Sequence, residues 1–212
     1  MSKQVELVLG ANTVIENTKC AIAFSTTKPL EFGQQLGLLW LPLDAYRKAV
    51  CSPAYLHESK DWAQLDSKDN PSTWQLDLPQ LFDKNNVSFL QLIAYVYHDP
   101  SLNLPAVELN DVSLTLNNGD IRYNFTTNER HVKAAIILEI YQRNRHFKCR
   151  ALGEASTQGL ASLEHHVQVS LNVRPPSTHT LIQEAQQQQR IQLNNEARPP
   201  RHVQAGETWT GT

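Results

Sequence analysis

One stretch restricts the fold more than any other: Val112-Ser113-Leu114-Thr115-Leu116, then Asn117-Asn118-Gly119-Asp120, then Ile121-Arg122-Tyr123-Asn124-Phe125. Apolar and polar residues alternate with period two on both sides of the turn. Each arm therefore reads as a strand with one buried and one wet face. Asn-Gly supplies the positive φ angles that close a tight hairpin.

The same punctuation recurs along the chain. Phe89-Leu90-Gln91-Leu92-Ile93-Ala94-Tyr95-Val96-Tyr97 is rich in β-branched and aromatic residues and apolar on both faces, which suits a central strand in a two-layer structure. Residues 132–141 (VKAAIILEIY) form another long strand candidate, which Arg143-Asn144-Arg145 turns into a strand over 146–152. Residues 20–24 and 37–41 read as strands near the start, and 167–173 as an alternating strand that closes the body. Between 153 and 166 the pattern changes: Gly159, Leu160, Leu163 and Val167 fall at helical spacing, which predicts one short helix. Many short strands, hairpin turns and little helix predict a mainly β protein. The expected fold is an antiparallel β-sandwich over 1–173 with one short helix near the C-terminal end of the domain.

Residues 174–212 have a different character. Arg174-Pro175-Pro176-Ser177, the run Gln186 to Gln189 and Arg198-Pro199-Pro200-Arg201 cannot bury enough apolar surface to offset chain entropy. The expectation is a disordered Pro/Gln-rich tail or linker. Residues 181–193 offer a partner-bound helix, and the tail suits a connection to an additional domain or partner.

Composition narrows the function classes. The 212 residues are 41% hydrophobic, enough for a sizeable core, and only 19% charged, with 17 Gln and 15 Asn filling the difference. Lys and Arg number 19 against 21 Asp and Glu, a net charge of -2, so a nucleic-acid partner held by phosphate neutralisation is not expected. No apolar stretch approaches the ~20 residues of a membrane span, and Met1-Ser2-Lys3-Gln4-Val5-Glu6 lacks the apolar region of a signal peptide. Cys20, Cys51 and Cys149 are odd in number, widely spaced and outside any metal motif. A reducing cytoplasm is the expected compartment.

The segment Glu139-Ile140-Tyr141-Gln142-Arg143-Asn144, then Phe147-Lys148-Cys149-Arg150-Ala151-Leu152-Gly153, then Gln158-Gly159-Leu160-Ala161-Ser162-Leu163 resembles the C-terminal signature of the TerD family of bacterial tellurium-resistance and stress proteins. That signature is approximately E-L-Y-R-x-x-x-x-W-K-F-R-A-I-G-x-G followed by G-G-L-x-x-L. Arg122-Tyr123-Asn124-Phe125 is similar to the family's R-Y-D-L, and His98-Asp99 to its I-H-D. Val5-Glu6-Leu7-Val8-Leu9-Gly10-Ala11-Asn12 is similar to its opening strand and Gly-x-Asn turn. The matches are colinear over about 5–173. The resemblance implies a β-sandwich and a non-enzymatic role in tellurium resistance or stress response. It also implies protein–protein contacts with other proteins of that system.

Family members bind calcium through acidic loops, and here the pattern departs. Where the family has F-D-L-D-x-S, this chain has Phe32-Gly33-Gln34-Gln35-Leu36-Gly37, with Gly33 and Gln35 in place of aspartates. Calcium takes six to eight oxygens, largely carboxylate, so losing two carboxylates removes most of the attraction. The second acidic region carries Lys60 inside His57-Glu58-Ser59-Lys60-Asp61, and leaves Asp61, Asp66 and Asp69 as residual calcium candidates. The expectation is a divergent TerA/TerF-like member without a cofactor. The alternative is a calcium-responsive binding module that uses those three aspartates.

Other residues raise narrower questions. His98-Asp99 suggests a catalytic pair, but neighbours on a strand point to opposite faces, and no G-x-S-x-G nucleophile is present. Glu164-His165-His166 matches no H-E-x-x-H metal pattern. No catalytic residue is therefore expected. Arg143, Arg145, Lys148 and Arg150 make a basic cluster around one hairpin that could meet phosphates or an acidic partner. Trp62 and Trp74 are either loop anchors in the core or exposed binding residues.

Overall fold

Alternation drives strand formation throughout. In β3 (Lys19–Ser25), Cys20, Ile22 and Phe24 are buried while their neighbours are partly or fully wet. In β9 (Asp111–Leu116) and β10 (Ile121–Thr126), the apolar residues again face inward, one by one. The structure, a computed structural model, describes residues 3–26, 36–55, 58–67, 70–97, 108–164 and 171. The described residues fall in the unit Met1–Pro176.

Two six-stranded sheets result. The first runs β1-β10-β9-β3-β7-β6, with β1 (Val5–Leu7), β6 (Ala63–Ser67) and β7 (Asn70–Asp77) joining the three strands above. The second runs β2-β12-β11-β8-β4-β5. Its strands are β2 (Asn12–Ile15), β4 (Leu36–Leu43), β5 (Ala54–Tyr55), β8 (Phe89–Val96), β11 (Ala134–Arg143) and β12 (His146–Ser156). Strand neighbours are antiparallel except β1 against β10. The mainly β sandwich expected from the sequence is the fold observed, and β8 holds the interior position that its two apolar faces predict.

The main core lies between the sheets. Trp74 of one sheet packs on Trp40 of the other at 5.7 Å between ring centroids. The Tyr123 hydroxyl donates to the Leu152 carbonyl at 2.6 Å, a polar tie from one sheet to the other. The hairpin between β9 and β10 closes through Asn117, Asn118 and Gly119, all at positive φ, as Asn-Gly predicts.

One short α-helix lies wholly within the described residues, mid-chain. α1 (Leu78–Lys84) carries the chain from β7 in the first sheet to β8 in the second. Asp77 caps it by accepting from the Gln80 amide at 3.1 Å, and Pro79 occupies the first turn, where no amide donor is required. In the segment with helical spacing, a 3-10 turn, Leu160–Leu163, follows Gly159 at φ 90° and runs into a helical Glu164, after which the described residues break off until Leu171. The residues before that turn extend β12 to Ser156 against Ala134.

The outer face of the second sheet is also apolar. Leu39, Leu41, Leu43, Ile93 and Tyr95 form a second cluster with Tyr55, Leu160 and Leu171. Every residue of β4 is buried as a result. The Tyr95 ring lies over Gly37, its partner across the strands, where a Cβ would overlap the ring.

Several sequence expectations lie outside the described residues. These are the Phe32–Gln35 motif, His98-Asp99, His165-His166, the strand over 167–173 apart from Leu171, and the tail 174–212.

Candidate functional site

The site begins with a register shift. β11 pairs Ile136 with Ile93 and Leu138 with Leu92, so Ile137 is an extra, bulged residue. Ile137 and Leu138 both enter the main core. Strict alternation from Ile137 would turn Glu139 inward as well. The bulge resets the phase, and Glu139 emerges on the outer face beside Gln91 of β8 and Arg150 of β12.

Glu139 is nonetheless nearly sealed, with 2% of its side chain exposed. A carboxylate so buried requires partners. Its Oε2 accepts from Gln91 Nε2 at 2.9 Å and from Arg47 Nε at 3.3 Å, and its Oε1 accepts from Arg47 Nη2 at 3.2 Å. The pair is therefore bidentate, the geometry a guanidinium fork favours. Arg47 is half-exposed and lies 4.1 Å from the centroid of the Phe89 ring.

Arg47 reaches this position from a five-residue loop over 44–48. The Asp44 carboxylate accepts from the Tyr46 amide at 2.8 Å and the Lys48 amide at 3.0 Å, and the Asp44 carbonyl accepts from the Arg47 amide at 3.0 Å. Asp commonly organises turns in this way. Arg47 itself sits at φ 58°, a left-handed conformation that ordinary residues seldom adopt. Its side chain is thus aimed by a backbone that the Asp44 turn holds in place.

These groups wall a groove of about 570 Å³. Leu43, Ile93, Ile136, Leu152, Ala155 and Leu163 supply its apolar lining, and Arg47, Gln91, Glu139, Arg150 and Glu154 its polar one. The Arg150 guanidinium stands 5.2 Å from the Tyr141 ring centroid. A second hollow of about 350 Å³ opens at the end of the same sheet, lined in part by Ala45, Phe89, Tyr141 and Arg143.

Of the basic residues singled out in the sequence, Arg150 lines the groove and the other three sit toward that end. Arg143 and Arg145 are exposed at the tip of the β11–β12 hairpin, whose central residues Asn144 and Arg145 lie at φ 51° and 65°. Such angles match the twist of a two-residue hairpin. Lys148 is half-buried on β12, opposite Tyr141. Tyr46, next in the chain to Ala45, is 84% exposed.

Trp62 is 7% exposed within the main core, so of its two alternatives the structure has the core anchor and not an exposed binding residue. Trp74 is buried there too. Asp61 is exposed, Asp66 belongs to β6, and Asp69 lies outside the described residues. Lys60 pairs with Glu58 at 4.0 Å. Among the described residues no group of three His, Cys, Asp or Glu side chains is placed to hold a metal ion. Cys20 and Cys149 are buried, and burial pushes both thiols up to about 12. They are inert core residues at neutral pH.

Sequence reading passed over Arg47, Gln91 and Glu139. A signal was present for two of them. Gln91 interrupts an apolar strand and Glu139 another, and the two interruptions fall opposite each other. Arg47 carried no such mark, because its position depends on the Asp44 turn.

No known protein-family profile matches the chain, and no curated protein matches it. Among solved structures, a protein of unknown function, SAV2460, is similar at 14% identity. The similarity covers 68% of this chain and 92% of that one, with a TM-score of 0.47. Among the described residues no helix is long and apolar enough to cross a membrane.

Proposed function

We propose that the chain is a non-enzymatic, TerD-like scaffold of a bacterial tellurium-resistance or stress-response system, working in the cytoplasm. It docks a partner protein of that system through the end of the second sheet, where the 44–48 loop approaches the β11–β12 hairpin. The family part of this reading rests on the colinear motifs from Val5 to Leu163. The docking part rests on one observation: Tyr46 stands 84% exposed next to Ala45, which lines the same hollow as Arg143.

Tyrosine and arginine are the side chains that most often dominate binding energy at protein interfaces. A large aromatic ring held in water beside a hollow gains from being covered. Arg143 and Arg145 add positive charge at the rim, which selects an acidic partner and speeds its approach. TerD-type proteins that retain acidic calcium loops carry charge of the required sign.

The test is calorimetric titration of the purified chain with a purified TerD-type protein that has its acidic loops. Binding in the micromolar range is expected. Tyr46→Ala and the pair Arg143→Glu/Arg145→Glu should each weaken it by roughly tenfold or more. Absence of binding to such proteins, or equal binding by the variants, would sink the proposal.

A further inference from the structure

We propose that the groove on the outer face of the second sheet binds a small amphiphilic monocarboxylate. Its carboxylate meets Arg47 and Arg150, and its apolar body lies on Ile136, Leu152 and Leu163. This inference concerns the groove and not the docking end, and it stands without the family reading.

The first argument is an imbalance of donors and acceptors. A guanidinium has five N–H donors. Arg47 spends one from Nε and one from Nη2 on Glu139, which leaves three. Among the described residues Arg150 has no carboxylate partner, and its contact is with the Tyr141 ring. Both guanidinium groups border the groove, Arg150 across the strands from Glu139 and Arg47 paired with it. The acceptors run the other way. Glu139 already takes three hydrogen bonds, from Gln91 and twice from Arg47. Glu154 is exposed and solvated at the rim. Surplus donors beside an apolar wall call for an acceptor group carried on an apolar body.

The second argument sets the charge of the ligand. The lining holds two cations, Arg47 and Arg150, and two carboxylates, Glu139 and Glu154. A single negative charge gains from both guanidinium groups, and that gain offsets its repulsion from Glu139. The planar carboxylate also matches the fork of an arginine edge.

The third argument is preorganisation. Arg47 is fixed by its bidentate bond, by the Phe89 ring and by a backbone at φ 58°. A side chain already held in place loses little entropy when a ligand arrives. The groove volume of about 570 Å³ lies within the usual span of small-molecule sites.

The experiment is calorimetric titration of the full chain with decanoate, kept below its micelle-forming concentration. One saturable site is expected. Propionate, which has the carboxylate without the apolar body, should bind at least about tenfold more weakly, and decyltrimethylammonium should not bind. Arg150→Gln should weaken decanoate by about tenfold and lower the unfolding midpoint of the free protein by only about 2 °C or less, because Arg150 gives up a ring contact but no ion pair among the described residues. The comparison between anionic and cationic amphiphiles needs no variant, so it decides the matter even if Arg150→Gln folds poorly. No decanoate binding, equal binding of the cationic amphiphile, or undiminished binding by Arg150→Gln would overturn the proposal.

Discussion

Glu139 shows how one buried charge constrains its surroundings. Its carboxylate was moved out of water, and the bonds from Arg47 and Gln91 replace what hydration supplied. Such a pair adds little net stability, yet removing one member is costly because the other charge is stranded. Arg47→Met should therefore destabilise by about 1–3 kcal/mol, below the full buried-pair cost because water reaches the half-exposed guanidinium. Adding Glu139→Leu should recover most of that loss. Urea unfolding of the two variants measures the difference; a double variant less stable than Arg47→Met would show that the charge was not the problem. The two core thiols make a separate case. Burial raises Cys20 and Cys149 to about 12 from 9.0, so folding favours their protonated forms. Their contribution is fully present below pH 9 and is lost as pH rises toward 12, because the unfolded chain ionises first. Stability followed from pH 8 to pH 11 should decline, and the decline should flatten in Cys20→Ala/Cys149→Ala.

At the scale of elements, the β11 bulge decides which residues face the groove. Deleting Ile137 would restore strict alternation, so either Glu139 turns into the core or the residues before it reverse their faces. The deletion should cost about 3–5 kcal/mol, the range for stranding a buried charge. Ile137→Val removes one methyl from the same place and should cost only about 1 kcal/mol. Thermal unfolding of both separates register from volume, and similar losses would mean that the bulge is incidental. This element also marks where sequence reading ends. Period-two runs in β3, β9 and β10 were legible because each side chain's face follows from its neighbour's. A bulge is one extra residue in an apolar run, and VKAAIILEIY reads the same with or without it. The helix Leu78–Lys84 escaped because its seven residues make too few turns to show a period, although Asp77 and Pro79 are ordinary helix-start residues. The Arg47–Glu139 contact joins positions 92 apart, a distance over which no local pattern carries information.

At the scale of the molecule, the question is whether these loops belong to a calcium protein or to a sandwich that works without the ion. The chain carries a net charge of -2, so general attraction for a divalent cation is weak and a site must come from local carboxylates. In the proposed TerD-like reading, Gly33 and Gln35 stand where aspartates would bind the ion, and Lys60 brings a cation into the second loop. That ammonium pairs with Glu58, so one of the few nearby carboxylates is already engaged. An ion that binds only the folded chain raises its stability by RT ln(1 + [L]/Kd), so millimolar calcium on an ordinary site shifts the unfolding midpoint by several degrees. The ligand-poor loops predict a shift below about 1 °C between chelator and millimolar calcium. A larger shift that disappears in Asp61→Ala or Asp69→Ala would make the acidic loops the working part of the protein. The sandwich would then serve as their support, and the exposed end at Tyr46 would have to be tested with the ion bound.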